Sequence, residues 1–245
     1  MWSLRDKKII IIGGSYGMGL STAERAIEAG ATVAIAARGE RALREAAENL
    51  ESLGGRPVAW RVLRIENREA VGDFLRSGAP FDHLVPPGST VRPVLYDDLT
   101  GDEARAAFES KFWGPFWAVY DGREHLRTGG SVGFYSGVAA SRPVKGYIMG
   151  ACINGAINAA TRSLALELAP AIRVNAIAPG LTDTPLQDVL HGHDKEERLA
   201  YFSSRLPVGR VGTADEMAMG AMYLMCDDFV TGQVITIDGG HECMS

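Results

Sequence analysis

Three glycines in "IIGGSYGMGL", Gly13, Gly17 and Gly19, lie between an apolar run and a helical pattern. Glycines there permit positive φ and let backbone N–H groups approach a pyrophosphate at a helix N-terminus. With Ser15, Tyr16 and Met18 between them they form a candidate phosphate cradle. In "AIAARGER", an acidic residue would bind adenosine ribose hydroxyls and repel a 2′-phosphate. Arg38 instead offers a guanidinium fork suited to that phosphate, so NADP(H) is expected over NAD(H). The plainer alternative is a solvated arginine at a strand end. Farther on, "GYIMGACINGAI" holds Tyr147, a phenol able to give a proton, with no lysine four residues later.

The elements that must position these groups alternate. "KKIIII" (Lys7 to Ile12) reads as a central parallel strand, "GLSTAERAIEAGA" as the helix after it, and "TVAIAA" as the next strand. A long Ala/Glu/Arg/Leu helix runs from Glu40 to Leu53. "RPVAWRVL", "DHLVP", "GSVGFYS", "IRVNAIAPG" and "QVITIDGG" supply later strands with helical stretches between most of them. Such alternation predicts an α/β fold, a Rossmann-like doubly wound parallel sheet with helices on both faces. Ligands in such sheets bind at the carboxyl ends of the strands.

At 245 residues the chain suits one well-buried domain, read as 1–245. No apolar run approaches the roughly 20 residues that cross a bilayer, and "MWSLRDKK" lacks a secretory apolar segment. Three widely spaced cysteines, Cys152, Cys226 and Cys243, argue against a disulfide framework and suit a reducing cytoplasm. A net charge of −5 with scattered basic residues disfavours nucleic acid as a partner, and no membrane partner is expected.

Beyond these patterns the sequence resembles the short-chain dehydrogenase/reductase family across nearly its whole length. The resemblance rests on Gly13, Gly17 and Gly19, on "LALELAPAIRVNAIAPGLTDTP" (Leu164 to Pro185), and on "VTGQVITIDGG" (Val230 to Gly240). It implies that Thr182 and Thr184 lie beside the cofactor, with Pro179 and Gly180 shaping that edge. It also implies a substrate lid at 183–207 and a dimer or tetramer. Family members commonly use an asparagine, a serine, a tyrosine and a lysine together, the lysine lowering the tyrosine pKa from about 10.

Aligned to that pattern, Asn154 takes the lysine position, Gly150 the tyrosine position, Gly137 the serine position and Lys111 the asparagine position. The usual asparagine-rich segment after the fourth strand is "VPPGS", so Pro86, Pro87 and Gly88 shape the adenosine side. The aspartate that caps adenine is replaced near Arg64, which could stack on the base but cannot accept its hydrogen bond.

Three residues could stand in for the missing acid. Lys111 could stabilise an oxyanion or donate a proton, against the plainer reading of a lysine snorkelling to solvent. Tyr147, three residues before Gly150, could bring its hydroxyl into the pocket or pack on substrate as a lid aromatic. Ser136 could replace the lost hydroxyl if the strand end rotates. Lys145 reads as a solvated loop residue. "HGH" (His191 to His193) has no third ligand in view, so no metal is expected. Phe112, Trp113, Phe116, Trp117 and Tyr120 make an aromatic stripe at helical spacing, which the resemblance places at a subunit interface.

These residues predict an atypical NADP(H)-dependent oxidoreductase reducing a small carbonyl or imine compound. The alternatives are a nucleotide-binding protein without redox activity, or an isomerase, lyase or cyclase reusing the pocket.

Overall fold

The computed structural model describes residues 2–88, 91–185, 187, 188 and 192–244. Strands β1 (Lys8–Ile12), β2 (Thr32–Ala37), β3 (Ala59–Val62), β4 (Phe81–Val85), β5 (Leu126–Tyr135) and β6 (Ile172–Pro179) belong to the main sheet. A short pair, β7 (Thr182–Asp183) and β8 (Gly212–Thr213), stands apart, and β9 (Val234–Ile237) completes the main sheet. Its order is β3-β2-β1-β4-β5-β6-β9, and every pairing is parallel. The expected doubly wound sheet is present.

The helices include α1 (Gly17–Glu28), α2 (Glu40–Gly54), α3 (Arg68–Gly78), α4 (Gly101–Phe108), α5 (Gly114–Gly122), α6 (Ile148–Glu167), α7 (Lys195–Ser203) and α8 (Ala214–Cys226). They cover both faces because strand side chains alternate. On β1, Ile9 and Ile11 pack with Ala23, Leu43 and Met222 from α1, α2 and α8. Ile10 and Ile12 face the opposite core, with Phe74, Ala118 and Ile153 from α3, α5 and α6. A run apolar at every position is therefore what a strand buried on both faces requires.

Two local features aim residues at the carboxyl edge. Between α4 and α5, Glu109–Trp113 widen into a π-helical turn, a feature the sequence pattern did not foretell. Thr100 and Glu103 form a capping box that fixes where this run begins. At the other edge, Asn175 on β6 donates to the Val230 carbonyl oxygen (2.9 Å) and accepts from the Gln233 N–H (3.0 Å), tying β6 to the approach of β9.

Candidate active site

A groove of about 380 Å³ opens at the carboxyl ends of β1 and β2. Gly13, Ser15, Tyr16, Gly17, Met18 and Gly19 line it together with Arg38, Gly88 and Thr184. Gly13 and Gly17 hold φ of +120° and +58°. A Cβ at Gly19 would overlap the Gly13 carbonyl oxygen, so only glycine lets α1 start this close to the loop. The first turn of α1 carries no acidic side chain, leaving its positive end to an anion. A dinucleotide pyrophosphate fits this cradle.

Two residues expected at the nucleotide do not line this groove. Arg64 does not line the groove. Its side chain is 67% exposed and faces Glu66 at 3.6 Å, while Leu63, Ile65 and Glu66 form the wall. Alternation at the end of β3 turns Leu63 and Ile65 inward and Arg64 out. Likewise Pro87 and Gly88, not Pro86, border the groove. Pro86 is buried, and the Pro87 ring packs over Gly13.

A second cavity of about 220 Å³ adjoins the groove, with Met18 and Thr184 lining both. It brings together Lys111, Ser136 and Tyr147 with Pro179, Gly180, Thr182 and Thr184. Lys111 comes from the π-helical turn, and Gly88 packs against its backbone, where a Cβ would lie 3.3 Å from the Lys111 Cα. The Lys111 ammonium donates to the Tyr135 carbonyl oxygen (3.2 Å), which leaves further N–H groups for the cavity. Burial pushes its pKa down to about 8. Tyr135 is itself fixed by a 2.7 Å hydrogen bond between its hydroxyl and that of Thr22 on α1.

Tyr147 sits at the start of α6, and a Cβ built at Gly150 would overlap its ring. The ring therefore occupies space that a side chain at 150 would claim. Burial raises the Tyr147 pKa, so the phenol keeps its proton at neutral pH. Gly137 plays a matching part: a Cβ there would lie 2.6 Å from Asn154 Nδ2. The Ser136 hydroxyl turns to α6 instead, donating to Asn158 Oδ1 (2.5 Å) with the Asn154 carbonyl oxygen at 3.1 Å. It borders the cavity but is engaged by the helix.

Sequence reasoning missed three polar lining residues. Gln187 and Arg198 come from the stretch 183–207, and His241 from the turn after β9. A histidine following paired glycines at a strand's carboxyl end was the available signal for the last. Asp238 accepts from the Gly240 and Glu242 N–H groups (2.8 and 2.7 Å) and so fixes the His241 turn. Burial, then the charge of Arg142, lowers the His241 pKa. Lys145, read as solvated, is exposed yet borders the cavity. Of "HGH", His191 lies outside the described residues and His193 is exposed. Among the described residues no three His, Cys, Asp or Glu side chains gather as metal ligands.

A family model described as enoyl-(acyl carrier protein) reductase matches residues 13–242. The short-chain dehydrogenase/reductase ATR9 of Stachybotrys chlorohalonatus is 31% identical, with 98% of each chain covered. A small-chain dehydrogenase in complex with NADPH superposes with a TM-score of 0.84 at 32% identity, covering 97% of this chain and 99% of the other. An NADPH-bound short-chain oxidoreductase of Pseudomonas aeruginosa PAO1, described as containing an atypical catalytic center, superposes at 0.92 with 25% identity and 98% of each chain covered. The cradle, the parallel sheet and these likenesses agree: the chain belongs to the short-chain dehydrogenase/reductase family.

Proposed function

We propose that this family member is an NADP(H)-dependent oxidoreductase that reduces a small carbonyl or imine compound, with Lys111 as the principal acid. The observation that carries this reading is a lysine ammonium in the cavity beside the nucleotide groove, with a pKa of about 8. An acid works best when its pKa lies near the working pH. Lys111 meets that condition, whereas burial moves the Tyr147 phenol further from it.

NADP(H), when bound, supplies the hydride. Lys111 then neutralises negative charge on the substrate oxygen or nitrogen and delivers the proton. The Tyr147 hydroxyl orients the same atom from the α6 side. The glycine loop holds the pyrophosphate, Arg38 the 2′-phosphate, and Thr182 and Thr184 the edge between groove and cavity. The stretch 183–207 closes over the substrate as a lid, tethered where Lys195 pairs with Asp183 (2.9 Å) and Asp188 (3.0 Å).

The aromatic face shared by the π-helical turn and α5 supports self-association. Trp113 and Trp117 stack, Arg68 lies 4.2 Å over the Trp117 ring, and Trp113 and Tyr120 remain substantially exposed. Such a rigid aromatic and arginine-rich face suits a partner copy. Loss of absorbance at 340 nm across a panel of carbonyl and imine compounds tests the activity, with NADPH binding measured in parallel. Binding without oxidation anywhere on the panel would sink the redox reading.

A further inference from the structure

The cavity's lining contains the cations Lys111, Lys145 and Arg198 beside a neutral His241 but, among the described residues, no carboxylate. In a chain of net charge −5 that is a local reversal of sign. The acidic groups nearby are engaged elsewhere. Asp238 caps the His241 turn, Glu242 bonds the Ser141 hydroxyl, and Asp183 and Asp188 hold Lys195.

The same cavity concentrates unpaired polar atoms. Seven buried side-chain N or O atoms lack a hydrogen-bond partner among the described residues, and four belong to cavity-lining residues. They are Asn154 Oδ1, Gln187 Oε1, Arg198 Nε and His241 Nδ1. Asn154, Gln187 and His241 are only 3%, 8% and 7% exposed. Buried polar atoms without partners are costly, and their clustering points to a ligand that completes them: Arg198 Nε donates and calls for an acceptor, while Asn154 Oδ1 and Gln187 Oε1 accept and call for donor groups. Arg198, Phe202 and His241 are contiguous, the guanidinium lying 5.2 Å from the Phe202 ring, which packs edge-on against His241. The cofactor does not account for this positive charge, since the groove has its own cation in Arg38.

We infer that the substrate is an organic acid that also carries a hydroxyl or amino group, its carboxylate held by Arg198 with help from Lys145 and its donor group facing Gln187 Oε1. A planar guanidinium matches a carboxylate through parallel N–H···O bonds. The inference rests on reading this cavity as the substrate site.

Titration calorimetry on the full chain, with and without NADPH, tests it using butanoate, butanamide and butyl phosphate as probes. Butanoate should bind about tenfold more tightly than butanamide, which corresponds to about 1.4 kcal/mol. Arg198→Gln should bring the two within about twofold while leaving NADPH affinity unchanged. Should Arg198→Gln fail to fold, Lys145→Gln should reduce the preference severalfold. Equal binding of butanoate and butanamide overturns the inference, as does a preference that survives these substitutions. Butyl phosphate binding about tenfold above butanoate would assign the site to a phosphate and overturn the carboxylate. Failure of NADPH to bind while the butanoate preference persists would remove the cofactor reading and leave this one standing.

Discussion

The nucleotide groove and the adjoining cavity share the carboxyl edge of one sheet but are built differently. The groove is mostly backbone: a glycine loop, a helix start and the end of β2. Among the described residues, Glu66 alone of the groove lining has a buried polar atom without a partner, against four such residues in the cavity. The cavity is mostly side chains drawn from the π-helical turn, the end of β5, the start of α6, the 183–207 stretch and the turn after β9. A cradle of backbone amides is complete before a ligand arrives, while a cluster of unpaired side chains is completed by one. Mutations should therefore divide into those that affect nucleotide binding and those that affect turnover.

The largest effect expected is at Lys111. Lys111→Met should lower kcat for reduction by about 10²–10⁴-fold, the usual contribution of a positioned acid. NADPH affinity, read by fluorescence titration, should change by less than about threefold if groove and cavity act separately. The pH profile supplies the signature. Reduction by the wild type should fall as pH rises through about 8, where the ammonium loses its proton, and Lys111→Met should lack that limb. Stability runs the other way. Between about 8 and the ordinary 10.5 the unfolded chain holds more protons at this site, so stability rises with pH there. A methionine variant that keeps wild-type turnover would remove Lys111 from the chemistry.

On the groove side, Gly19→Ala puts a methyl group against the Gly13 carbonyl oxygen. The loop must shift, and displacement of this order in a positioned site costs on the order of 10²-fold. The loss should appear in the NADPH dissociation constant, with far-UV circular dichroism unchanged. Unaltered NADPH affinity would mean that the pyrophosphate lies elsewhere.

How much was legible in the sequence follows the same division. The glycine loop, Arg38 and the seven strands of the main sheet are short contiguous signals, and the fold places them where the sequence pattern puts them, while the short β7–β8 pair carried no such signal. At Arg64 and Pro86 the chain neighbours line the groove instead, because which neighbour faces it depends on strand alternation and local turn geometry. In the cavity, Lys111 and Tyr147 could be proposed and His241 left only the cue of the paired glycines before it, but Gln187 and Arg198 could not. Their proximity comes from the way the 183–207 stretch and the β9 turn fold over the edge. The Ser136 hydroxyl turns on a contact with Asn158 across 22 positions, which no local spacing encodes.

The smallest effect expected concerns Tyr147, and it separates a hydroxyl role from mere packing. Tyr147→Phe keeps the ring and removes only the oxygen. Gly150→Ala keeps the tyrosine but places a Cβ where its ring now sits, so the ring must swing away. If the hydroxyl orients the reacting atom, both variants should lower kcat/KM by about tenfold, the worth of one hydrogen bond in a dry site. Their effects should not add in the double variant, because each removes the same contact. If the ring serves only as a wall, Tyr147→Phe should be silent while Gly150→Ala raises KM. Neither change touches the groove, so NADPH affinity should hold in both. A matched loss of NADPH binding would break the division between groove and cavity, since the two adjoin at Met18 and Thr184 and a displaced Tyr147 ring could act on the nucleotide only through that junction.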